Sequence, residues 1–67
     1  MDADPEEYVS VPHVQGGLIT LRSAVQKVMA LSPIDQGLAE IFRQDTQPAI
    51  LTINEIKRLA ERPEFQS

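Results

Sequence analysis

The chain has 67 residues, no cysteine, one histidine and a formal net charge of −4. A chain of this length holds one domain at most and buries only about 60% of its unfolded surface, so it is marginal alone. Without cysteine there is no disulfide and no zinc–thiolate site, and one histidine excludes a multi-histidine metal site within the chain. Stability has to come from tight packing or from association with another chain.

The charge is unevenly placed. Asp2, Asp4, Glu6 and Glu7 account for the net charge, and the remaining six acidic side chains balance the six basic ones. Residues 1–7 contain Pro5 and read as an acidic, disordered tail. They are acidic where a secretory signal is basic. No apolar run approaches the ~18 residues of a membrane span. The compartment expected from these features is the cytoplasm, with no membrane partner.

Tyr8-Val9-Ser10-Val11 suits an extended strand. Pro12 lacks a backbone donor, which confines any such strand to an edge. A hairpin can be drawn from Val9–Val14 to Leu18–Leu21 across Gly16-Gly17, but a lone hairpin is weak in water. Residues 8–17 therefore read as an extended arm ahead of a helical domain over residues 18–67.

The first helix is predicted over about residues 21–31, capped by Thr20. Leu21, Ala24, Val25, Val28 and Leu31 share one face at helical spacing. The second is predicted over about residues 33–44. Ser32 caps it and Pro33 takes the first helical position, where a missing N–H costs nothing. Its apolar stripe is Ile34, Leu38, Ile41 and Phe42, with Asp35 and Arg43 matching the helix dipole. Gly37 is a local fault of about 1 kcal/mol relative to alanine, to be explained by close approach of a neighbouring helix or by a docking notch for a partner, the first being preferred.

Pro48 breaks the chain before Ala49-Ile50-Leu51, where Ile50 is expected in the core. Thr52 and Glu55 then form a capping box, with Leu51 and Ile56 as its hydrophobic staple. The third helix is predicted over about residues 53–62, burying Ile53, Ile56, Leu59 and Ala60. Lys57 is set to pair with Glu61 one turn on. Pro63 stops the run, and Phe65 either folds back as core or serves as a partner anchor.

The segment from Leu38 to Ala60 resembles an EF-hand in spacing. Counting a twelve-residue loop back from Glu55 puts Leu51 at the apolar eighth position. Gln44 at position one, Pro48 at five and Ala49 at six lack what calcium needs, so no site follows and the family is not assigned.

No other motif carries chemistry. His13 has no serine, cysteine or acid beside it in sequence, although catalytic partners need only be close in space. Gly16-Gly17 is too short for a phosphate loop and lacks the lysine and hydroxyl that would follow. Asp35 and Glu55 are explained as capping groups.

The sequence thus predicts an all-α, small three-helix bundle with an extended, partly disordered arm. It is expected to be a non-catalytic protein-binding module without cofactor: a small regulator, adaptor or accessory subunit. Another protein or a second copy is the expected partner. Tyr8, Val9, Val11 and Val14 would add a strand to a partner's sheet, with Phe65 as a further anchor. On this reading, deleting residues 1–14 leaves the helices intact. The alternative is a helix-turn-helix-like DNA-binding protein using Lys57, Arg58 and Arg62. The neutral body, the acidic tail and a long loop where the motif has a tight turn argue against it.

Overall fold

The computed structural model describes residues 3–12, 17–44 and 46–66. It contains a four-stranded antiparallel sheet, which corrects the all-helical expectation. In chain order the elements are β1 (Tyr8–Ser10), β2 (Ile19–Thr20), α1 (Leu21–Met29), α2 (Pro33–Leu38), β3 (Ile41–Arg43), β4 (Ile50–Leu51) and α3 (Ile53–Ala60), then a 3₁₀ turn over Pro63–Phe65. The spatial strand order is β2-β1-β3-β4.

β1 is an interior strand. Val9 lies opposite Ile19 on one side and Arg43 on the other. Pro12 falls beyond the end of β1, so its missing donor never meets the ladder. Of the arm expected over residues 8–17, Tyr8–Ser10 is instead a strand of the sheet, and the hairpin set aside as weak is stabilised by packing on α1. Val14, His13 and Gly16 lie outside the described residues, as do Met1, Asp2, Asp45 and Ser67.

The second helix is shorter than expected. It stops at Leu38, and Ala39 is already extended at φ −77°, ψ 141°. Beyond it Ile41, Phe42 and Arg43 alternate buried, half-buried, buried, the period-two pattern of a strand. Gly37 weakens helix continuation, while β1 offers Ile41-Phe42-Arg43 a ladder to join. A Cβ on Gly37 would meet nothing within 4 Å, so no neighbouring helix accounts for this glycine.

The helix starts are where the sequence puts them. Thr20 Oγ1 accepts from the Ser23 N–H at 3.2 Å, and Ser32 Oγ from the Asp35 N–H at 3.4 Å. Glu55 Oε1 reaches back to accept from the Thr52 N–H at 3.4 Å.

One face of the sheet is core. Val9, Val11, Ile41 and Leu51 pack with Leu21, Ala24, Val25 and Val28 of α1, Ile56 and Leu59 of α3, and Phe65. The other face carries Tyr8, Ser10, Phe42 and Ile50, by the strand alternation and by the pairing of Ser10 with Phe42 and Phe42 with Ile50. Ile50, expected in the core, is exposed there, because the next residue along the strand, Leu51, faces inward.

The acidic segment is folded back. Glu7 O accepts from the Leu21 N–H at 2.7 Å and Pro5 O from the Arg22 N–H at 3.0 Å. Arg22 pairs with Glu6 at 2.6 Å and donates from Nε to Glu64 O at 3.0 Å, so one side chain ties both ends of the chain to α1.

Candidate functional site

The residues expected to bind a partner through the arm are scattered. Tyr8 is 61% exposed, whereas Val9, Val11 and Phe65 are core. A strand already paired on both sides has no free edge to add to another sheet. Phe65 is held by the 3₁₀ turn that Pro63 starts, its own N–H bonded to Arg62 O at 3.0 Å.

The basic residues of α3 do not make a helix-turn-helix. β4 and Thr52 precede α3, where that motif has a helix. Lys57 and Arg58 are exposed, and Arg62 is half-buried with Nη1 3.9 Å from Glu64 Oε1. Among the described residues no ion pair joins Lys57 to Glu61.

The surface that stands out is α2. Ser32 and Pro33 start it at a sharp corner after α1, and none of its residues is buried. Ile34 is 79% exposed and Leu38 73%. These two stand one turn apart, on one ridge. Gln36 lies about half a helical circuit from both. Its Nε2 donates to Met29 O at 3.0 Å and to Leu31 O at 3.1 Å, tying α2 to the end of α1. The helix is therefore turned inside out: an amide faces the protein and two large aliphatic groups face water. Met29, whose carbonyl takes the Gln36 bond, also exposes its side chain.

Carboxylates flank the ridge. Asp35 accepts from Ser32 Oγ at 3.0 Å, and Glu40 is exposed two residues beyond Leu38. Neither meets a basic side chain among the described residues.

Two open grooves lie among the described residues. One, of about 450 Å³, runs between α1 and the 3₁₀ turn and is lined by Val25, Met29, Ala60 and Phe65 with the amides of Gln26 and Gln66. The other, of about 480 Å³, lies beside Asp4, Glu7, Arg43 and Thr46. Among the described residues no three of His, Cys, Asp and Glu gather to hold a metal, and no helix is long and apolar enough to cross a membrane. The segment that resembles an EF-hand is the β3–β4 hairpin followed by α3.

Comparison of the chain with protein-family models, with curated proteins and with solved structures gives no match.

Proposed function

We propose that this chain is a non-catalytic protein-binding module, a small regulator, adaptor or accessory subunit, and that α2 is its docking element. The observation that carries the reading is the outward ridge of Ile34 and Leu38 on a helix that buries nothing. Exposed aliphatic residues are common singly; two on one ridge, backed by a polar tether, mark a contact surface. Anchors one turn apart are what a helix presents to an apolar groove. The partner is a protein with such a groove and a basic rim, matching Asp35 and Glu40.

Fully burying a side chain of this kind contributes about 1.5–3 kcal/mol, so two anchors support reversible binding. The same reading places the protein in the cytoplasm, where a cysteine-free core is indifferent to reducing conditions.

The test compares wild type with I34K/L38K, and with D35K/E40K, against proteins captured on the immobilised chain and then purified. A partner that binds wild type, is lost with I34K/L38K and is weakened by D35K/E40K supports the reading. Binding that ignores α2, or a nucleic acid held through Lys57 and Arg58 with steep salt dependence, overturns it.

A further inference from the structure

We infer that α2 opens independently of the rest of the molecule and that Gln36 is its latch, the positioning residue that holds the docking ridge together. The consequence for binding rests on the docking role given to α2 above; the opening itself does not. α2 has six residues, well short of the ~12–15 at which an isolated helix becomes marginal in water. A helix this short persists on what ties it to its neighbours. α2 lies alongside α3, yet none of its residues is buried there. Pro33 and the Ser32 cap act within the segment itself. Gln36 is the α2 residue whose side chain bonds beyond that segment, donating at 3.0 Å to Met29 O and at 3.1 Å to Leu31 O.

Met29 ends α1 and Leu31 follows two residues on. Carbonyls at a helix end have no N–H of the helix left to meet them. One side-chain amide therefore caps α1 and fastens α2 at once. The chain on either side is anchored without this amide. The Leu31 N–H bonds Val28 O at 3.0 Å, and Ala39 is 5% exposed in the core. Residues 32–38 can thus unwind between two fixed ends, with the sheet, α1 and α3 in place. Gly37 raises the entropy gained on unwinding.

Opening abolishes the ridge. Ile34 and Leu38 are four residues apart, about 6 Å along the axis of a helix and about 13 Å along an extended chain. A groove that fits the closed pair reads only the latched state, and affinity falls with the closed fraction. The two bonds of Gln36 therefore set how strongly α2 docks, although Gln36 touches no partner.

The test is native-state hydrogen exchange of the full chain by NMR, in a series of urea concentrations below the unfolding transition. The α2 reporters are the amides of residue 36 and Ala39, bonded to Ser32 O and to the residue 36 carbonyl. The sheet reporters are the Leu21 and Arg43 amides, bonded to Glu7 O and Ala49 O. Opening of α2 alone exposes little surface, so its reporters should be less protected than the sheet reporters and nearly indifferent to urea. The sheet reporters should speed steeply as urea rises. Methionine and glutamine have near-equal helix propensity, so Q36M removes the two bonds and leaves the backbone preference unchanged. In Q36M the α2 reporters should exchange about thirtyfold faster, the loss of two hydrogen bonds of ordinary strength, or reach the unprotected limit. Q36E, which sets oxygens against the two carbonyls, should open at least as far. Wild-type α2 reporters with the urea slope of the sheet, or with no protection at all, overturn the inference. So does Q36M exchange equal to wild type. No partner enters the test, so a ridge that binds nothing and a latch that does not open are separate failures.

Discussion

Arg43 grips Glu7 across the sheet. Nε donates to Glu7 Oε2 at 3.2 Å and Nη2 to Oε1 at 2.9 Å, and the arginine side chain is only 1% exposed. A buried guanidinium is tolerated only when its charge is met, and here the carboxylate comes from the residue just ahead of β1. Removing one partner leaves the other charge buried. Glu7→Gln is expected to destabilise the fold by about 3 kcal/mol, read as a lower urea midpoint at unchanged slope. Replacing both residues by apolar ones, Glu7→Leu with Arg43→Met, should recover most of the loss.

Two glycines should respond with opposite signs. Gly17 has φ +85°, a conformation that side chains resist, so Gly17→Ala should cost about 1 kcal/mol. Gly37 lies inside α2 with open space where a Cβ would sit, so Gly37→Ala should stabilise by about 0.5–1 kcal/mol. Thermal denaturation of the two single variants side by side checks both.

Phe65 closes the core from the C-terminal side at 1% exposure. Phe65→Ala is expected to cost about 3–5 kcal/mol, comparable to the whole stability of a domain this small. Loss of cooperative unfolding would show it. A variant as stable as wild type would mean that the ring is not buried in solution.

Deleting residues 1–14 removes β1, the strand between β2 and β3, together with Glu7. The expected outcome is loss of the near-ultraviolet signal and of dispersed amide resonances, the reverse of what a detachable arm predicts.

The substitutions I34K/L38K should leave stability within about 0.5 kcal/mol of wild type, because neither side chain is buried. Chemical denaturation checks this, and a large loss would show that the ridge packs against its own chain.

The helix starts were legible because capping is local: Thr20, Ser32 and Thr52 act on groups within three residues. The apolar stripes of α1 and α3 were legible for the same reason. The sheet was not, because its strands are two or three residues long and its middle pairing, Val9 with Arg43, joins segments distant in sequence. Ile41-Phe42-Arg43 continues the helical spacing of Ile34 and Leu38, and only β1 reveals it as a strand. Arg43 read as a helix-end charge and Glu7 as part of a solvated tail, since nothing local joins them. The α2 ridge shows a further limit. Periodicity identifies residues that share a side of a helix, but not whether that side looks inward, so Ile34 and Leu38 read as core.

The placement of β1 at the heart of the sheet bears on how the molecule comes into being. β1 has to wait for β3, far along the chain, before its second ladder can close. Contacts of such long separation slow a chain's search for its native state. A half-length fragment, whether from a stalled ribosome or a protease, owns no closed core and should be cleared rather than persist. Assembly and loss are therefore expected to be all-or-none, as in other small single domains.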